Sequence, residues 1–168
     1  MPQTYEKVAT HTVPSATAAY TFTSIPATYT DLILVASVKA SSFANDLAIR
    51  VGNGSVDSGS NYSNTIFTGN GTSAQSFTGR NQTSIFPGYY AGPRTTLGDS
   101  GQIIYFMNYS NTTTNKVILS RSNAAAVGVD ALVNAWRSNV AINTIELRII
   151  SNNIAEGSTF TLYGIKAA

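Results

Sequence analysis

Apolar residues in this chain recur at every second position within short stretches, and clusters of Gly, Asn, Ser and Thr separate the stretches. Ile145, Leu147 and Ile149 fall on one side while Glu146 and Arg148 fall on the other, the period of an extended strand with one covered and one wet face. Phe160, Leu162 and Gly164 alternate with Thr161, Tyr163 and Ile165, which predicts a last strand covered on both faces. The same reading predicts about nine or ten strands drawn from eleven candidate stretches along the chain. The candidate stretches are Tyr5–Val13, Ala18–Phe22, Leu32–Lys39, Leu47–Val51, Tyr62–Phe67, Ser73–Arg80, Gln102–Asn108, Lys116–Arg121, Leu132–Arg137, Thr144–Ile150 and Thr159–Ile165.

No window carries an i, i+3, i+4, i+7 apolar stripe bounded by caps, and β-branched residues dominate the apolar positions, so helix is at most a minor element. The best place for one is a short turn within Ala124–Val133, where small residues cluster ahead of Trp136. Turn chemistry is dense at Gly52-Asn53-Gly54, Asp57-Ser58-Gly59, Gly69-Asn70-Gly71 and Pro87-Gly88, where Gly and Asn accept positive φ at little cost. Many strands of similar length with this punctuation predict an all-β fold: an antiparallel two-sheet β-sandwich, jelly-roll-like. Asn-Tyr-Ser-Asn occurs at both 61–64 and 108–111, but the similarity stops there and no repeat architecture follows.

Length and composition narrow this picture. The 168 residues fit one domain spanning 1–168, large enough to hold a core without staples. With no cysteine there is no thiolate metal site, cysteine nucleophile or disulfide framework. Charged residues are 11% of the chain, against the usual figure of about 25%. The net charge is +2, and the four lysines and six arginines are dispersed, so the sequence predicts neither a nucleic-acid nor a membrane partner. Uncharged polarity stands in for charge, with 19 Ser, 21 Thr and 15 Asn. That balance suits a rigid β-protein within a large assembly or outside a cytosol. The start, Met1 to Lys7, has no basic stretch leading into an apolar run, and the longest apolar segment, Leu32–Ala36, is too short to span a bilayer. A chain made in a cytoplasm without a signal peptide is therefore expected.

Candidate chemistry is sparse. His11 is the only histidine and sits in the first strand, where a solvated or edge position is expected. The eight carboxylates are scattered singly, whereas glycoside hydrolysis needs two at a defined separation. Asp57, Gly59 and Asn61 could offer oxygens to calcium, but the spacing lacks a terminal bidentate Glu and reads as an ordinary Asx-rich loop. Gly52-Asn53-Gly54 lacks the further glycine and helix of a phosphate site. The Asn-x-Ser/Thr triplets follow from the Ser and Thr content. Tyr89, Tyr90, Tyr109 and Trp136 are the rings that a sugar-binding sandwich would use for stacking; as structural residues, Trp136 would be core and the tyrosines half-buried at strand ends. No catalytic group, metal ligand or cofactor site is expected.

Four segments carry a resemblance: Met1 to Lys7, Thr23 to Leu32, Met107 to Ser122 with its Asn-Tyr-Ser-Asn, and Gly157 to Ile165. Together they resemble short β-sandwich virion proteins of tailed bacteriophages, over most of the chain. The resemblance implies a β-sandwich displayed on the particle, either as a head decoration (cement) protein or as the receptor-contacting end of a tail fibre. It transfers no site residue.

A tail fibre trimerises through a shaft, and this sequence has neither heptads nor shaft repeats. A cement protein needs a neutral, rigid body that pairs with itself and with capsid subunits around a symmetry axis. Uncharged Thr, Ser and Asn surfaces form interface hydrogen bonds without burying ions. The expectation is a virion protein with no enzymatic activity: a homo-oligomer, as a trimer, bound to the major capsid protein. The alternative is a head domain that binds host-surface glycans or a receptor. Contacts are expected at the ends, Pro2–Val13 and Lys166–Ala168, or at the loops Gly52–Asn61, Gly69–Gln75 and Pro87–Gly101. The candidate contact residues are Pro2, Thr4, Tyr5 and Lys166 at the ends, and Asn53, Asp57, Asn61, Asn70, Tyr89, Tyr90, Arg94 and Asp99 in the loops.

Overall fold

The computed structural model describes residues 4–42, 47–89 and 100–166. Within them the chain forms β1 (Tyr5–Thr12), β2 (Ala19–Phe22), β3 (Asp31–Val38), β4 (Leu47–Asn53), β5 (Ser55–Val56), β6 (Tyr62–Gly69), β7 (Ala74–Gln82), β8 (Ser100–Met107), β9 (Lys116–Ala124), β10 (Gly128–Trp136), β11 (Thr144–Ile149) and β12 (Thr159–Ile165). Every stretch that alternation marks as a strand forms one. The two-residue β5 is the addition: it folds back on β4 from the Gly52-Asn53-Gly54 turn, with Gly54 at φ 78°.

The strands make an antiparallel two-sheet β-sandwich. The large sheet runs β1-β12-β3-β8-β9-β10-β6-β7 and the small one β2-β11-β4-β5. They are glued by the side chains that alternation aims inward: Leu32, Leu34 and Ala36 of β3, Phe160 and Leu162 of β12, and Ile104 and Phe106 of β8. These meet Ile145, Leu147 and Ile149 of β11 and Leu47, Ile49 and Val51 of β4. Each fully buried chain of this size contributes about 1.5–3 kcal/mol. The apolar core thins across the rest of the large sheet, where β9, β10 and β6 add Ile118, Trp136 and Tyr62 to that cluster and also bury Ala124, Leu132 and Ile66.

The short helical turn expected within Ala124–Val133 is not there. That segment is the tight β9–β10 hairpin, closed by Val127 N donating to Ala124 O at 2.8 Å. Its alanines make the turn, and from Gly128 on the chain alternates with period two, because pairing with both β9 and β6 overrides any local helical preference. His11 lies on edge strand β1 with its ring stacked on Tyr20, centroids 3.8 Å apart.

Candidate functional site

The large sheet is patterned normally over β3 and β12 and inside out over β9 and β10. In β9 the inward positions hold Lys116, Ile118, Ser120 and Ser122, while Val117 and Leu119 face water. In β10 the inward positions hold Asp130, Leu132, Asn134 and Trp136, while Val129 (61% exposed) and Val133 (48% exposed) face water. Neighbouring β6 buries Asn64 and Thr68 and exposes Phe67. A strand's parity is fixed once two side chains anchor it. Trp136 and Ile118 set that parity here, and the polar residues go in with them.

The segment after β7 crosses the polar inner positions at Ser122 and Asp130. Ile85 pairs with Ile49 of β4 through two backbone hydrogen bonds of 2.9 Å, and Pro87 and Gly88 are buried. Gly88 crosses so close to the sheet that a Cβ there would overlap Ser122 Oγ. Asp130 ties the segment down: its carboxylate accepts from Tyr89 N at 2.6 Å, from Ser122 Oγ at 3.2 Å and from Thr68 Oγ1. Asn134 Nδ2 donates to Ser120 Oγ at 3.3 Å. Several donors on one buried carboxylate satisfy oxygens that would otherwise be costly to bury.

The outer face carries the displaced apolar residues. Register aligns Val35, Ile103, Arg121, Ala131 and Phe67 in one row across β3, β8, β9, β10 and β6, with Tyr105, Leu119 and Val133 in the next. Met107 and Val117 extend it toward one end. Val35, Ile103, Phe67, Leu119, Val133, Met107 and Val117 are each more than a third exposed, a contiguous apolar face of the kind that marks an interaction surface. The surface is dished: a groove of ≈ 930 Å³ lies between Val35 and Phe67 over Ala131 and Gly101, and a smaller one of ≈ 380 Å³ lies between Phe67 and Tyr105. Arg121 is the one charge in these rows. Its guanidinium lies 5.8 Å from the Tyr105 ring centroid and donates to the Tyr105 hydroxyl at 3.2 Å. That bond engages one of the guanidinium's five donors within the sheet.

The candidate contact residues fall elsewhere, in separate groups. Tyr5 begins edge strand β1, Thr4 O accepts from Lys166 N at 3.1 Å, and Lys166 Nζ is paired with Glu6 at 2.7 Å. From Tyr5 onward the N-terminal segment expected to reach over a neighbour is thus hydrogen-bonded into its own sheet. Asn53 Oδ1 accepts from Asn143 Nδ2, and Asn70 Oδ1 caps the β6–β7 turn by accepting from Thr72 N and Ser73 N. Tyr89 packs its ring against Phe77, centroids 4.8 Å apart. Tyr109, expected to be half-buried, is fully buried, and its hydroxyl donates to Pro26 O. Trp136 is core, as expected. Pro2, Tyr90, Arg94 and Asp99 lie outside the described residues.

Asp57 and Asn61 do come together, as a structural tie. Asp57 Oδ1 accepts from Gly59 N at 2.8 Å, and Oδ2 accepts from Asn61 Nδ2 at 2.8 Å and Trp136 Nε1 at 2.7 Å. Partial burial works to raise the Asp57 carboxyl, but these donors outweigh it and hold the group below its ordinary value. The Tyr62 hydroxyl donates to Asp57 O at 2.8 Å, and burial pushes it well above the usual tyrosine range. With its oxygens engaged by donors, this carboxylate is shaped as an Asx-type loop tie rather than a cation site. Burial also lowers Lys116, whose Nζ donates to Thr114 O at 2.8 Å. Among the described residues no three His, Asp or Glu side chains cluster for a metal ion, and no helix is long and apolar enough to cross a membrane.

The outer-face residues were not singled out by sequence reasoning, although a signal was present. Ser120 and Ser122 share parity with Ile118, and Asp130 and Asn134 with Trp136, which sends Leu119, Val129 and Val133 to the other side. Compared with protein-family models and with curated proteins, the chain matches none.

Proposed function

We propose that this chain is a structural virion protein of a tailed bacteriophage, a capsid decoration (cement) protein that binds at capsomer junctions and to copies of itself. The observation that carries the reading is the outer face of the large sheet: broad, nearly uncharged, and built on a frame tied by long-range strand pairing. Such a surface stabilises a shell by area buried at subunit junctions, since binding only the assembled state shifts the equilibrium toward it. The scarcity of charge supports the same reading, because few ions need be desolvated at contact. The phage assignment itself rests on the segmental resemblance.

A second reading, a glycan- or receptor-binding head of a tail fibre, is favoured by the exposed Tyr89 ring packed on Phe77 beside the Pro87–Gly88 turn. Imaging and protein gels of intact particles separate the two. Stoichiometric occupancy of heads supports cement; location at fibre tips with glycan binding by the isolated protein overturns it.

A further inference from the structure

We propose that Asn70 is a site of self-modification: the amide nitrogen of Gly71 closes on the Asn70 side chain, and the residue is converted to aspartate and isoaspartate without an enzyme. The ground is a comparison of three asparagines within this one chain. Asn53 and Asn70 both precede a glycine, Gly54 and Gly71. Both dipeptides are exposed, both glycines have positive φ, 78° and 88°, and both have open space where a Cβ would stand. A missing Cβ removes the bulk that hinders a backbone nitrogen from reaching the preceding side chain. By dipeptide and exposure the two are equals, and their hydrogen bonds separate them.

Asn143 clasps the first. Gly54 N donates to Asn143 Oδ1 at 2.7 Å, and Asn143 Nδ2 donates to Asn53 Oδ1 at 3.0 Å. The nitrogen that would attack is bound, and the carboxamide that would receive it is pinned to the same partner. At the second, among the described residues, no acceptor engages Gly71 N or Asn70 Nδ2. Four donors surround Asn70 Oδ1 instead: Thr72 N at 3.0 Å, Thr72 Oγ1 at 2.9 Å, Ser73 N at 2.9 Å and Ser73 Oγ at 3.2 Å. Negative charge develops on that oxygen as nitrogen adds to Cγ, so donors already aimed at it lower the barrier. Asn111 has the same cradle, from Thr113 and Thr114, but is followed by Thr112, whose branched Cβ crowds the attack.

The step balances with water alone. Gly71 N loses its proton to hydroxide and bonds to Asn70 Cγ; the Cγ–Nδ2 bond breaks and ammonia leaves, closing a succinimide ring. Water then opens the ring at either carbonyl. The product carries a carboxylate at the tip of the β6–β7 turn and lowers the net charge of +2 by one. Opening toward isoaspartate also routes the main chain through Cβ, which lengthens the turn.

The test holds the purified full chain in mildly alkaline buffer and follows Asn53, Asn70 and Asn111 by peptide mapping with mass spectrometry. Asn70 should convert at least about tenfold faster than the other two. Asn143→Ala frees Gly54 N and should raise the Asn53 rate at least about tenfold while leaving Asn70 unchanged. Thr72→Val combined with Ser73→Ala removes both hydroxyl donors and should slow Asn70 alone. In guanidinium, where neither clasp nor cradle survives, Asn53 and Asn70 should convert at similar rates. Circular dichroism confirms that the variants fold, and the wild-type ranking needs no variant. Asn53 or Asn111 converting as fast as Asn70 in the folded chain overturns the inference. So does a ranking of Asn70 over Asn53 that persists in guanidinium, or an Asn70 rate indifferent to the loss of both hydroxyls. An Asn53 rate indifferent to Asn143→Ala overturns the protective role of the clasp. The outcome is independent of what the chain binds.

Discussion

Val133 and Asn134 are consecutive in β10, and the asparagine is the one fully buried while the valine stands 48% exposed. The two positions cannot be exchanged without turning Trp136 and Leu132 out of the core, because a strand's side chains alternate as a set. The chain has accepted a polar interior over β9 and β10, crossed at Ser122 by the segment that Asp130 holds.

That arrangement predicts a contrast in stability. Val133→Ser should cost the monomer less than about 0.5 kcal/mol, since the methyl groups already face water. Ile104→Ala, in the fully buried middle of the same sheet, should cost about 2–5 kcal/mol. Urea unfolding of each variant at low protein concentration checks both numbers.

Removing the carboxylate of Asp130 leaves Tyr89 N and Ser122 Oγ without this acceptor. Asp130→Ala should therefore destabilise by about 1–3 kcal/mol. The loss should be local first: amide exchange at Tyr89 and Ile85 should accelerate before that of β3. Unchanged exchange at Tyr89 would show that the segment is held by something else.

Gly88→Ala tests the closeness of the same crossing. A Cβ there meets Ser122 Oγ and Ser122 Cβ, so the segment must lift or the serine must turn, at a cost of about 1–3 kcal/mol. Ser122→Gly in the same chain should recover part of the loss, which a double-mutant cycle in urea measures.

Much of this was legible in the residues. Alternation at Ile145–Ile149 and Phe160–Ile165, and turn chemistry at Gly52–Gly54 and Gly69–Gly71, place the strands and two of their turns. The Ala124–Val133 segment was not, because small residues suit a helical turn and a hairpin alike until β6 and β8 are known to flank the hairpin strands. The outer face was hidden for a related reason. Alternation separates two sides, but only packing against the small sheet says which side is inside, and β9 and β10 carry polar residues on the buried one. Asp57 was legible as an Asx turn but not as the acceptor for Trp136, which lies 79 positions away.

The Asp57 tie has a pH signature. Its folded-state value is depressed below the unfolded one by Trp136, Asn61 and Gly59, so its contribution is fully present above the ordinary carboxylate range near about 4 and is lost as pH falls through the folded value. Asp57→Asn should be less stable than wild type at neutral pH, and the gap should close in acid. Thermal midpoints of the two proteins across that range give the comparison. A gap independent of pH would place the effect in packing rather than charge.

The central claim is that the apolar face of β8, β9, β10 and β6 is covered when the protein is assembled. Hydroxyl-radical footprinting reads this side chain by side chain. In protein bound to phage heads, labelling of Met107, Leu119 and Phe67 should be suppressed relative to the free protein, while labelling of Tyr89, off that face, stays the same. Equal labelling of Met107 and Leu119 in both states would contradict the account.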